Sequence, residues 1–273
     1  MTTIQHSADE LGSTAALTVP PPPPPRPAEW GRALRALREL LANPQDTAKA
    51  FEIFAAFGGQ DEERTFQRVL VHPTGQRLLA QRPSLIDHLA DRAGLARMPA
   101  DSFGRAYLEY LERNELDPVG LLALKSAMQA EALASGESHA RLDPLREWFR
   151  DRTLLMHDLW HVLTEYDTDA LGESALLPFS YAQHGGRANL LLVVGVAIRG
   201  LTQVGVSFPR YLFQAWRRGR RATWLPAFPY EELLAEPVEE VRRRAAIDPP
   251  HLAHPGGIRR GDLATTAGAT AVS

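Results

Sequence analysis

The sequence predicts an all-α fold: a single multi-helix domain between disordered N- and C-terminal tails. Three observations support this. Apolar residues recur three and four positions apart over most of the chain, as they do in helices with one buried face. Pro, Gly, Asp and Ser punctuate these periodic segments, and they are the residues that start and stop helices. Alternating apolar and polar runs of strand length are scarce.

Taken in order, residues 1–28 form the first tail. They hold few large apolar side chains and end in six prolines at 20–25, an extended polyproline II spacer that cannot join a helix or sheet. There is no apolar signal core. The segment also has no arginine before Arg26 and carries Asp9 and Glu10, so it does not read as a transit peptide. The helical domain is expected over 29–248. Its first helix carries Trp30, Leu34, Leu37, Leu40 and Leu41 at helical spacing and stops at Asn43-Pro44. Asp46 or Thr47 can cap a second, with Ala50, Phe51, Phe54 and Phe57 turned inward and Gly58-Gly59 closing it. Further helices are expected near 61–70, 75–81, 84–93, 101–113 and 117–134.

Residues 190–198 are the most apolar stretch, well short of the ~20 needed to span a bilayer. They suit a buried core helix, or one that lines a greasy pocket or lies on a membrane surface. Residues 208–224 then interleave Tyr211, Phe213, Trp216 and Trp224 with five arginines, which suits either an interfacial position or a solvated helix end. Residues 249–273, rich in Gly, Pro, Ala and Thr, form the second tail.

Composition narrows the chemistry. The chain has 273 residues, 44% hydrophobic and 23% charged, enough to bury a sizeable core. A net charge of −3 argues against nucleic acid as a partner, since phosphate-backbone binding needs concentrated positive charge. With no cysteine, disulfides, thiolate zinc sites and iron–sulfur clusters are excluded, so any metal ligands are nitrogen or oxygen. Only Lys49 and Lys125 offer an amine.

Chemistry concentrates in HDLWHVLTEYDTDALGE, residues 157–173. His157 and His161 are four apart, so a helix projects both imidazoles from one face, about one turn apart. Asp158 lies about 100° around from His157 and about 60° from His161, placing its carboxylate on the same side. Glu173 follows past the breaker Gly172, where a loop folding back can deliver it as a fourth ligand. Two imidazoles and two carboxylates suit a divalent ion: zinc first, with iron, manganese or cobalt as alternatives. Asp158 and Glu173 are also candidate catalytic proton acceptors, and Arg150, seven residues before His157, is a candidate catalytic carboxylate binder. The competing readings are an H-E-x-x-H-like protease helix, a phosphohydrolase recruiting His88, His139 and Asp248, or a polar face pairing Asp158 and Glu173 with Arg150 or Arg152.

Residues 157–173 resemble the H-D-x-x-H-x(11)-E signature of the coenzyme Q biosynthesis protein 4 family. The similarity extends over most of 30–247: Asn43-Pro44 with Asp46, Gly75, Phe103-Gly104 with Tyr107, Arg152, and Pro237 with Glu240-Val241-Arg242. A lysine commonly follows the glutamate in eukaryotic members; here Ser174-Ala175-Leu176-Leu177 stands instead, which suggests a bacterial branch. The resemblance implies an all-helical protein, cytoplasmic and peripheral to the inner membrane of a bacterium. It further implies a metal held by His157, Asp158, His161 and Glu173, and a polyprenyl chain in an apolar groove. The implied activity is oxidative decarboxylation at ring carbon C1 of a polyprenyl-hydroxybenzoate precursor, with hydroxyl replacing carboxylate. The alternative is a non-catalytic lipid-binding scaffold for other quinone-biosynthesis proteins; a homodimer stays open.

Overall fold

Short polar side chains start several of the helices. Asp143 accepts from the amides of Leu145 (3.0 Å) and Arg146 (3.2 Å), Asp117 from Val119 and Gly120, Ser102 from Arg105, and Asp91 from Gly94. Each bond satisfies an amide that has no partner within its own helix. Replacing Asp143 by alanine is expected to lower stability by about 1–2 kcal/mol in urea melts. That cap also holds the buried Arg146 guanidinium, at 2.7 Å.

The computed structural model describes residues 19–43, 46–137 and 142–253, and among these the chain is all-helical, with no strand. The helices are α1 Trp30–Ala42, α2 Thr47–Ala56, α3 Gln60–Val71, α4 Pro73–Gln81, α5 Leu85–Ala90, α6 Arg92–Arg97, α7 Phe103–Arg113, α8 Pro118–Ala134 and α9 Pro144–Thr164. After them come α10 Ala170–His184, α11 Arg187–Gln203, α12 Ser207–Arg221, a 3-10 turn Leu225–Ala227, α13 Tyr230–Leu233, α14 Val238–Arg244 and α15 Pro250–Ala253. The single helix expected over 84–93 is two, because Asp91 ends α5 and caps α6.

The main core surrounds α9. Met156, Leu159, Trp160 and Leu163 on its second half pack with Tyr107 and Leu111 of α7, Leu176 and Phe179 of α10, and Leu212 and Ala215 of α12. Two buried polar handles of this core are paired in series: the Trp160 indole donates to the Tyr230 hydroxyl (2.7 Å), which donates to the Leu225 carbonyl (3.1 Å). The α10–α12 crossing is close. A Cβ on Gly219 would stand 2.6 Å from the Phe179 carbonyl oxygen.

A second cluster joins α1, α2 and α11, and here the expected faces need correcting. Ala33, Ala36 and Leu37 are buried in α1, while Trp30 and Leu34 are exposed. In α2 the buried residues are Ile53 and Ala56, with Phe57 just beyond, while Phe51 and Phe54 are half-buried. The small side chains Ala33, Ala36 and Ala56 let the helix backbones approach, and Leu37, Ile53, Phe57 and Leu192 fill the space between them. A third cluster, Phe66, Val69, Leu79, Leu145 and Phe149, joins α3 and α4 to the start of α9. Val19 packs against it, Arg146 donates to the Pro20 carbonyl (3.1 Å), and Gln60 donates to the Arg26 carbonyl (2.7 Å). The end of the first expected tail is therefore tethered to the helical body from Val19 onward. In the second expected tail Pro250–Ala253 forms α15, and residues 1–18 and 254–273 lie outside the described residues.

Candidate metal centre

Two helices meeting at a tight turn build the site. The last two turns of α9 carry His157 and His161, and the chain then reverses through residues 165–169 into α10. Asp169 caps α10 by accepting from the Gly172 amide (2.7 Å), and Glu173 stands in the first turn. Gly172 is thus helical rather than a breaker, and its lack of a side chain serves close approach. A Cβ there would stand 2.0 Å from the Asp167 carbonyl oxygen. The end of α9 is held from outside by two arginines. Arg242 donates to the carbonyls of Val162 (2.9 Å) and Leu163 (3.2 Å), and buried Arg218 donates to that of Thr164 (2.6 Å). Cations at a helix C-terminus satisfy its free carbonyls and complement its dipole.

His161 is buried, 1% exposed, and its Nδ1 lies 2.8 Å from the Tyr166 carbonyl oxygen. A carbonyl only accepts, so Nδ1 carries the proton, and in the neutral ring Nε2 presents a lone pair. Nε2 is itself buried with no hydrogen-bond partner, and it faces Glu173 Oε1 at 3.3 Å. Two acceptors so close repel unless a proton or a metal cation sits between them. Ligands on a tetrahedral zinc, with bonds near 2.1 Å, stand about 3.4 Å apart. The third member favours metal: His157, His161 and Glu173 each offer one ligand atom, all within 4.8 Å of one another.

Electrostatics match. Burial works to raise the Glu173 carboxyl, but the closeness of the His161 and His157 rings outweighs it and holds the carboxyl below the usual range. Burial works to lower the His157 imidazolium, and the hydrogen bond to Asp158 with the charges of Glu173 and Asp158 outweighs it, so its pKa is raised. The ring is nevertheless 45% exposed, leaving one side of the group open to solvent.

Three of the four expected ligands converge in this group. The fourth, Asp158, places its carboxylate 3.6 Å from His157 Nδ1 and outside the three-residue group. Side chains one residue apart leave a helix about 100° apart, so this carboxylate meets the neighbouring ring, as ring-orienting carboxylates do at metal sites. Arg150 is committed elsewhere: its guanidinium pairs with Glu62 of α3 (2.7 Å). Arg152 pairs with Glu231, so neither arginine takes Asp158 or Glu173. Neither His88 nor Asp248 enters the group among the described residues, and His139 lies outside them.

Several neighbours are not apparent from the motif. Tyr110 of α7 stacks on the His161 ring (5.6 Å, 21°), and Tyr107 stacks in turn on Tyr110. Burial first, then the charges of Asp158 and Glu173, push the Tyr110 phenol well above its ordinary value, so it stays protonated. His184, stacked on Trp160 at 5.0 Å, is pulled down to about 4 by burial and by the His157 charge, and stays neutral. Helical spacing marks Tyr107 and Tyr110 only as core.

The family model for coenzyme Q (ubiquinone) biosynthesis protein Coq4 matches residues 39–122 and 143–251, which include the whole site. This chain belongs to the Coq4 family. Curated Coq4 relatives include the mouse ubiquinone biosynthesis protein COQ4 homolog, mitochondrial, 28% identical over 179 residues, covering 65% of this chain and 62% of that one. The mitochondrial coq-4 protein of Neurospora crassa is 26% identical over 187 residues, 67% of this chain and 48% of its own. The Yarrowia lipolytica relative is 28% identical, covering 67% and 65%. The chain thus spans about half to two-thirds of the length of these relatives. The crystal structure of a candidate ubiquinone biosynthesis protein from Nostoc punctiforme has the same fold, with a TM-score of 0.57 at 17% identity, covering 80% of this chain and 98% of that one.

Proposed function

We propose that this Coq4-family chain acts in ubiquinone biosynthesis as a metal-dependent enzyme that removes the C1 carboxylate of a polyprenyl-hydroxybenzoate precursor. The bond from C1 to the carboxylate breaks with loss of CO₂, and a hydroxyl whose oxygen comes from water takes its place. Dioxygen accepts the two electrons and two protons released, leaving as hydrogen peroxide. The observation that carries the metal reading is the buried, unpartnered His161 Nε2 aimed at Glu173. Family membership supplies the pathway.

His157, His161 and Glu173 would hold a divalent ion, zinc first, with iron, manganese or cobalt as alternatives. When bound, such an ion supplies Lewis acidity toward a substrate phenolate or carboxylate oxygen. The chain's own groups do the rest. The Tyr166 carbonyl fixes the His161 tautomer, so that Nε2 and not Nδ1 faces the site. The Tyr110 ring covers the face of His161 and keeps water from it. Half-exposed His157 marks the side from which a substrate enters. Asp158 steadies the His157 ring, and it and Glu173 are the carboxylates positioned to accept a proton. Arg150, paired with Glu62, has no part in this scheme. Other quinone-biosynthesis proteins are the expected partners.

The test is turnover of a C1-carboxylated polyprenyl substrate by wild type and by His157→Ala and Glu173→Ala, normalised to folded protein. Product formation should fall at least about 100-fold in both variants, since each removes one of the three side chains that would hold the ion. Turnover unchanged per folded molecule, with loss of partner binding, would assign the scaffold role instead.

A further inference from the structure

Tyr107 of α7 carries a hydroxyl that the fold does not use. Its side chain is fully buried, and the hydroxyl has no hydrogen-bond partner among the described residues. Such a group costs stability that a phenylalanine ring in the same place would not. Tyr230 shows the contrast, since its buried hydroxyl accepts from the Trp160 indole and donates to the Leu225 carbonyl. Tyr107 stacks on Tyr110 (6.4 Å, 26°), and Tyr110 stacks on the His161 ring. The unpaired phenol therefore lies beside the candidate metal centre.

Its electrostatic surroundings supply the other half of a binding pair. Burial first, then the charge of Asp158, raises the Tyr107 phenol well above its ordinary value, so the hydroxyl keeps its proton and can donate. Two further charges reach it, and both are committed elsewhere. Arg92 donates to the Leu116 carbonyl (2.8 Å), and Asp117 caps α8 by accepting from Val119 and Gly120. Asp158 is different. Its side chain is only 14% exposed, and its contact with His157 Nδ1, at 3.6 Å, takes one of the roughly four acceptor positions a carboxylate offers.

We propose that Tyr107 and Asp158 seat the ring hydroxyl of the aromatic substrate, Tyr107 donating to its oxygen and Asp158 accepting from its O–H. A buried donor beside a buried acceptor complements a hydroxyl, which is both. A second carboxylate fits worse, because it would bring acceptors against Asp158. This assignment rests on a hydroxybenzoate as substrate, and it gives Asp158, which stands outside the metal group, a partner of its own. A site built this way rejects the analogue lacking the hydroxyl, whose binding leaves both protein groups unpaired. A resident water would meet the same two groups, and it is the occupant the test separates.

The test is calorimetric titration of the full chain with a geranyl-substituted hydroxybenzoate and with the same acid lacking its ring hydroxyl. Wild type should bind the hydroxy acid on the order of 10-fold more tightly. Tyr107→Phe should bind both acids alike, near the wild-type affinity for the deoxy acid. It should also melt at or above the wild-type temperature and keep its metal content. Tyr230→Phe, which removes a paired hydroxyl, should melt earlier and keep the preference. Titration reads binding alone, so a wild type that binds with this preference but forms no product sinks the decarboxylase reading and leaves the hydroxyl pair standing. No preference in wild type, binding of neither acid, or a preference that persists in Tyr107→Phe would overturn the proposal. A Tyr107→Phe protein that melts earlier with its preference intact would assign the hydroxyl to a structural water instead.

Discussion

Glu173→Ala is expected to strip the protein of its metal while leaving the helical fold in place. Glu173 sits in the first turn of α10, has a side chain that is 43% exposed, and faces His161 Nε2 at 3.3 Å. Alanine is an excellent helix former there, so the scaffold loses little. The site loses a carboxylate held ionised by both histidines. Structural zinc sites with four ligands bind their ion with roughly 10–16 kcal/mol, so one of the three ligands here is expected to carry about 3 kcal/mol, on the order of 100-fold in affinity. Metal analysis after dialysis should therefore fall from stoichiometric to near background, with an unchanged circular dichroism spectrum. His161→Ala should lose the ion equally but melt earlier, because it also leaves the buried Tyr166 carbonyl without its donor.

Gly172→Ala is the second large effect, though glycine is no ligand. The new methyl group would stand 2.0 Å from the Asp167 carbonyl oxygen and 2.5 Å from its amide nitrogen. Both are backbone atoms, so no side chain can swing aside. The turn that presents the Tyr166 carbonyl to His161, and the helix that presents Glu173, must move apart. Overpacking of this kind costs about 1–3 kcal/mol, and the rigid neighbour places this case at the upper end. Metal affinity should fall with stability, measured by thermal melts beside metal titration. Gly31→Ala in α1 is the control: nothing lies within 4 Å of its Cβ position, and the change should stabilise slightly.

The sequence made much of this site legible because its signals are local. Histidines four apart on one helix must share a face, and Asp117, at the start of the expected helix 117–134, is marked as a cap by residue type and position. What could not be read is contributed from far along the chain or by the backbone. The acceptor that fixes the His161 tautomer is a carbonyl, which leaves no mark on residue type. Arg218 and Arg242 reach the end of α9 from 54 and about 80 positions away. Arg150 shares the face suggested by its spacing, yet Glu62, 88 positions earlier, claims it. The partial miss on α1 has a different cause: Leu37, Leu40 and Leu41 do face the core, while close helix packing places Ala33 and Ala36 there and leaves Trp30 and Leu34 exposed.

Anomalous diffraction from crystals of the metal-loaded protein, collected at the absorption edge of the bound element, tests the centre most directly. A metal held as proposed predicts one peak about 2.0–2.2 Å from both His161 Nε2 and a Glu173 oxygen, with His157 alongside. A fully loaded crystal whose peak lies away from His161 Nε2, or one in which a proton alone bridges His161 and Glu173 and no peak exists, would contradict it.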